Sequence, residues 1–283
     1  MSQANSAQAD YWNSEVGRQW VVQETFLDAT MAGILDRLME RADIRPKEKL
    51  LDIGCGTGAS TLAAAIRTGP AGHVTGLDIA EQLLNRARKR STDAGLRNTS
   101  FILADAQTHA FVPESFDAII SRFGVMFFDN PVAAFANMAK GLKPKGRLVF
   151  AAWAPADANP WFSIARDAAI ARLGKPAPVD PFAPGPLAFQ DLKHVTRLME
   201  EAGLEGVRGE VEAVPLAPQV SAAEAARAAS RVGPAARIMK EFSGTEADAL
   251  AVESVVREAF SKFESKKGIS VPASINFFSA VAA

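Results

Sequence analysis

Three glycines at alternate positions, Gly54, Gly56 and Gly58, follow the apolar run Leu50-Leu51-Asp52-Ile53, and a helix-compatible segment, 59–66, follows them directly. Strand, tight glycine turn, helix is the opening unit of a doubly wound α/β sheet, and no other stretch restricts the fold as much. A glycine carries no Cβ, so backbone at the carboxyl end of a parallel strand can approach a ligand closely. That geometry does not by itself choose the ligand.

Two ligand classes compete. Gly54-x-Gly56-x-x-Ala59 satisfies the dinucleotide fingerprint, whose last glycine can be alanine. Asp52 weighs against it: a carboxylate at the strand end would face a pyrophosphate and repel it, whereas it suits a ligand whose near end is cationic. An ordinary glycine turn with no ligand is the plain alternative.

The next strand ends repeat the pattern. Strand two, 74–77, ends in Asp78, close to the ~20-residue interval at which an acidic residue grips a ribose. A carboxylate accepts both vicinal hydroxyls through charge-assisted bonds. Capping the helix predicted over 81–94, which Gly95 stops, is compatible with that role. Strand three, 100–103, leads to Asp105-Ala106, where a carboxylate can accept an adenine amino group and the following N–H can meet a ring nitrogen; a simple turn role for Asp105 stays open. Strand four, 116–120, leads into Ser121, and Asn130-Pro131 opens the next helix before strand five, 147–153. Asp52, Asp78, Asp105 and Ser121 thus stand at strand carboxyl ends, where open α/β sheets bind ligands.

Asp-x-Gly-x-Gly-x-Gly with an acidic residue at the next strand end resembles the first motif of the class I S-adenosylmethionine-dependent methyltransferases. The resemblance covers 50–153. LDIGCGTG, GLDIA, ADA and FDAIISRFGVMFF with LKPKGRLVF are most similar to the ubiquinone/menaquinone-biosynthesis-type branch. It implies an α/β fold, a Rossmann-like doubly wound mixed seven-stranded sheet with a helical lid, whose last strand (274–282) is antiparallel at the edge. It implies S-adenosylmethionine as cofactor, contacted by Trp20, Asp52, Gly54, Cys55, Gly56, Asp78, Ile79, Asp105, Ala106 and Ser121. Methyl transfer to a small-molecule acceptor follows, with O- or C-methylation favoured and N or S possible. Phe123, Met126 and Trp153 follow strands four and five and are candidates for an apolar acceptor pocket, although each could equally pack lid onto core. His73, His109 and His194 show no metal spacing, and no catalytic base is identified. An NAD(P)-dependent oxidoreductase and a non-catalytic cofactor-binding protein of the same fold remain as alternatives.

Composition narrows the partners. Thirty-one basic residues against thirty-two acidic ones argue against nucleic acid, and the run 86–90 (RARKR) reads as a solvated helix face. No apolar window reaches the ~18 residues of a membrane span. Cys55 is the lone cysteine, so neither a disulfide framework nor a thiolate cluster is expected, and a small residue suits its place in the glycine loop. Residues 1–10 are polar, read as disordered, and resemble no signal peptide, which makes the cytoplasm the default location. The expected organisation is a single domain, monomeric or homodimeric: an N-terminal helical cover (1–46), a cofactor-binding core (47–153), helical lid insertions (154–187 and 217–272), and segments completing the sheet (188–216 and 273–283). Within the second insertion, 221–267 is read as Ala-rich helices broken at Gly233-Pro234 and Gly244.

Overall fold

A computed structural model describes residues 4–266 and 268–283. Seven strands form one sheet: β1 Lys49–Ile53, β2 His73–Asp78, β3 Thr99–Leu103, β4 Phe116–Arg122, β5 Leu142–Trp153, β6 Glu205–Ala213 and β7 Ser274–Val281. Their spatial order is β3-β2-β1-β4-β5-β7-β6. The chain order reverses between β1 and β4, which are parallel neighbours, and only β7 runs against its neighbours β5 and β6. β1 is buried from Leu50 onward, which is why its sequence is an unbroken apolar run apart from Asp52.

The intervening helices are α5 Ala59–Thr68, α6 Glu81–Asp93, α7 Pro131–Gly141 and α9 Leu192–Glu201, which pack along the sheet. Asn130 and Asp191 cap α7 and α9 through their side chains, as residues of those types do. α8, Pro160–Leu173, packs with α10 Ala222–Ser230, α11 Gly233–Glu241 and α12 Glu246–Phe260. Trp161 joins this group to the N-terminal helices, its ring 5.6 Å from Phe260 and 6.5 Å from Phe26.

Two differences from the sequence expectation exceed the one or two residues by which element ends vary. β5 begins at Leu142, not Arg147, because Leu142 already pairs with Phe116 and the strand then crosses an irregularity before Arg147 pairs with Ala118. The N-terminus is the larger correction. Residues 1–3 lie outside the described residues, but Ser6–Trp12 is helix α1, not disorder. Its Trp12 ring packs edge-on against Trp20 and Phe127, 5.5 Å from each, and Gln82 Nε2 donates to the Trp12 carbonyl at 2.7 Å. α2 Glu15–Val22, α3 Glu24–Thr30 and α4 Ala32–Arg41 complete the N-terminal layer.

Candidate active site

The turn after β1 is closed by backbone contact with the turn after β4. A Cβ on Gly54 (φ +62°) would stand 2.6 Å from the Gly124 Cα, so neither turn has room for a side chain there. The amides of the loop point inward. Gly54 and Cys55 N–H both donate to the Leu77 carbonyl (2.8 and 3.1 Å), Gly58 N–H donates to Cys55, and Gly56 N–H donates to Asp78 Oδ2 at 2.8 Å. A phosphate cradle needs free amides aimed at the ligand, and these four are already committed.

Asp52 lies behind the turn instead of across it, which corrects the expectation that its whole carboxylate faces the ligand. It is completely buried, and Oδ2 accepts from Ser60 Oγ (2.7 Å) and Thr61 Oγ1 (2.6 Å) in the first turn of α5. Oδ1 is buried with no partner. Burial pushes its pKa up to about 6 against the pull of the Thr61 and Ser60 hydroxyls and the Arg122 charge, and Asp78 raises it further.

Asp78 is buried and clamps two elements: Oδ2 holds Gly56 as above, and Oδ1 accepts from Ala80 N–H at 2.9 Å. Its pKa is raised by burial, opposed by the amides of Ala80, Gly56 and Ile79. The N-cap of α6 is Ala80, so Asp78 supports the helix start from two residues upstream. Ile79 is half-buried, and its carbonyl accepts from Asn13 Nδ2.

Asp105 is already bonded. Asn5 Nδ2 donates to both of its oxygens (3.0 and 3.1 Å), Gln107 N–H donates to Oδ1 at 2.9 Å, and Asn5 Oδ1 accepts from Asp129 N–H at 2.7 Å. A protein amide therefore occupies the edge that the sequence assigned to an adenine amino group. Ala106 is buried beside it, its carbonyl accepting from Asn137.

Two other candidates turn away from the ligand side. Ser121 is completely buried; it donates to the Ile53 carbonyl (2.7 Å) and accepts from Gly124 N–H (3.1 Å), so it ties the two turns together. The Cys55 side chain points at β2, where a Cβ on Gly76 would lie 2.9 Å from Sγ, and burial pushes the thiol pKa well up. Only the backbone of Cys55 is left for a ligand. Trp20, by contrast, does reach the loop: its Nε1 lies 3.9 Å from where a Cβ on Gly56 would stand.

The sequence reading missed a charged clamp. Glu24 accepts two bonds from Arg86 (2.8 and 2.9 Å), and Asp28 pairs with Arg90 (2.7 Å) and Arg122 (3.3 Å). Arg86 and Arg90 are thus not a solvated face; they fasten α3 to α6. The available signal was matched spacing, two acids four apart on one helix and two arginines four apart on another. Arg122 is the third cation, and its Nη1 is buried without a partner.

On the acceptor side, Phe123 adopts φ +65°, rare for a bulky residue, and lays its ring flat on Trp153 with centroids 4.5 Å apart and planes at 6°. Trp153 in turn meets Phe162 edge-on at 4.9 Å. Met126 is 1% exposed and belongs to the core, so it offers no pocket wall as placed. His73 is bonded to the Ser100 hydroxyl, His194 stacks on Phe182, and His109 meets Phe111 edge-on beside a cavity of about 150 Å³ that also touches Leu51 and Ile102. Among the described residues no cluster of three His, Cys, Asp or Glu could hold a metal.

Fold and site together define a Rossmann-like α/β protein with acidic residues at three adjacent strand tips and an N-terminal cover fastened beside them. The chain belongs to the methyltransferase-domain family, whose model matches residues 44–203. It is 40% identical over 114 residues to the aklanonic acid methyltransferase DauC of Streptomyces sp. (strain C5), covering 40% of this chain and 52% of that protein. It is 34% identical over 113 residues to the demethylmenaquinone methyltransferase of Staphylococcus aureus, covering 40% and 46%. The chain thus spans about half the length of these curated relatives. Its fold is similar to that of the YcgJ protein from Bacillus subtilis, with a TM-score of 0.56, 18% identity, and coverage of 87% of this chain and 97% of that one.

Proposed function

We propose that the protein transfers the methyl group of S-adenosylmethionine to a small-molecule acceptor. The observation that carries this is the buried, half-partnered Asp52 behind a glycine turn four of whose amides are already bonded. Such a place attracts a cation and repels a phosphate, which weighs against a dinucleotide. When bound, the cofactor supplies a methyl carbon made electrophilic by its sulfonium.

The chain's own residues then bind, orient and keep out water. Asp52 Oδ1 takes the ammonium end. Asp78 keeps acceptor capacity on each oxygen for ribose hydroxyls while bracing Gly56 and Ala80. Asp105 and the Ala106 N–H receive the adenine edge once the Asn5 amide gives way. Trp20 covers Gly56, and the Phe123–Trp153 stack supplies an apolar, flat wall for the acceptor. Alignment of this kind is worth ~7–11 kcal/mol in favourable intramolecular comparisons, so a dedicated base is optional: the acceptor's proton passes to solvent, and a phenol or activated carbon gains from a nearby base.

The relatives act, by name, on aklanonic acid and demethylmenaquinone, which favours O- or C-methylation of an organic acceptor here, with N or S as lesser options. Residues 47–153 serve as the cofactor core and 154–187 with 217–272 as the lid, in a cytoplasmic monomer or homodimer that does not engage nucleic acid. Among the described residues no helix is long and apolar enough to cross a membrane. Incubation with S-adenosylmethionine and a panel of phenolic and quinol acceptors, with S-adenosylhomocysteine release as readout, tests the reading. Cofactor binding without release for any acceptor would leave a binding protein in place of an enzyme.

A further inference from the structure

We propose that α1 is an inhibitory strap: in the ligand-free chain it bars the nucleoside half of the site, and the cofactor enters only as that helix lets go. This rests on the methyl-transfer reading above and adds to it a control on access.

α1 has little to hold it as a helix of its own. Its seven residues fall well short of the ~12–15 at which an isolated helix persists in water, and none of them is buried. Asn5, its N-cap, stands at φ 54° in the left-handed region and gives the helix no side-chain cap. That side chain is spent on the strand ends instead. Besides its bonds to Asp105 and to the Asp129 amide, its Nδ2 donates to Gln107 Oε1 at 3.2 Å, and Gln107 Oε1 also accepts from Asn130 N–H at 3.0 Å.

The other end of α1 is tied to the turn after β2. Asn13 Nδ2 donates to the Ile79 carbonyl at 3.1 Å, and Glu81 N–H donates to Asn13 Oδ1 at 3.1 Å. Gln82 Nε2 donates to the carbonyls of Trp12 and Ser14 at 2.7 and 3.0 Å. The helix is thus pinned to the loops after β2, β3 and β4. A nucleoside held by Asp78 and Asp105 spans the first two of these, so strap and ligand compete for the same ground.

The closed state carries a cost of its own. Gln8 Oε1, midway along α1, is buried with no partner, and release returns that carbonyl to water. A short helix that buries no residue and is tied by side chains to the ligand's own contacts is the kind of element that opens first. Its response to ligand has a definite sign: ligand loosens a strap, whereas it tightens a cover that closes over what is bound.

The test is hydrogen exchange on the full chain with and without saturating S-adenosylhomocysteine, together with calorimetry on two variants, Gln82→Ala and Asn13→Ala, which cut the ties after β2 and leave every acidic strand tip in place. Protection over residues 6–13 is expected to fall roughly tenfold or more on ligand binding. Each variant is expected to bind S-adenosylhomocysteine about 2- to 10-fold more tightly than wild type, because more of the chain is already open. Protection that rises over residues 6–13, or affinity in both variants equal to or weaker than wild type, overturns the strap and leaves the methyl-transfer reading standing. No uptake of S-adenosylhomocysteine by any of the three chains overturns both.

Discussion

Asp52 concentrates the chemistry of this chain in one carboxylate. Burial raises its pKa from an ordinary 3.8 to about 6, so the folded protein holds that proton more tightly than the unfolded chain does. The sign follows: above pH 6 the ionised group costs the ligand-free fold ~3 kcal/mol, and acidification from 6 to 4 relieves that cost. Asp52→Asn is therefore expected to melt at a higher temperature than wild type at pH 7.5, and the difference should shrink by pH 4.5. The same variant should bind S-adenosylhomocysteine at least about tenfold more weakly, having lost a charged partner. Melting curves at both pH values check the first half; a variant less stable than wild type at pH 7.5 would show that the charge is compensated. Phe123 is the other residue held at a cost, of order 1–3 kcal/mol for its left-handed backbone. Phe123→Ala should raise the acceptor KM about tenfold and leave cofactor affinity within twofold, since the ring stacks on Trp153 at the end of β5. Equal effects on both constants, from steady-state kinetics and calorimetry, would place the ring in the cofactor's path instead.

At the scale of elements, the question is how the N-terminal helices sit over the strand ends. α1 brings Asn5 onto Asp105 and α3 brings Glu24 and Asp28 onto three arginines. Asn5 competes with the adenine edge, so Asn5→Ala should tighten S-adenosylhomocysteine binding by roughly 2- to 10-fold, the net value of one or two hydrogen bonds. Unchanged or weaker binding would mean that the amide stays in place when ligand arrives. Glu24 is buried while Arg86 is about a third exposed, so Glu24→Gln should cost ~1–2 kcal/mol and not the full penalty of a buried pair. Hydrogen exchange should show the loss in residues 6–30 and leave the sheet protected. Matched spacing of acids and arginines was the one hint of this beforehand, and it did not say which segments meet. The partners are 62 residues apart for Arg86 and Glu24 and 100 apart for Asn5 and Asp105, and neither composition nor period reports contacts over such distances. A helical cover over 1–46 was legible in outline, though α1 was not, and the start of α7 was legible from Asn130-Pro131.

Across the whole molecule, the parallel strands could be read because burial on both faces forces apolar runs, and the glycine turn because close backbone approach excludes side chains. What a strand-end residue does could not be read in the same way. Asp52 and Ser121 stand at the predicted positions, but the adjacent helix and turn claim one oxygen of the first and the whole hydroxyl of the second. Residue type fixes what a group can bond, while packing decides what is left for a ligand. The sheet order came only through resemblance, and since a fold of this kind hosts unrelated reactions, function rests on the site. The most direct test of that site is a calorimetric titration of the purified chain with S-adenosylhomocysteine and, separately, with NAD. Saturable uptake of the first with no heat from the second is expected; uptake of NAD with indifference to the first would contradict a site built for a nucleoside with a charged amino-acid tail.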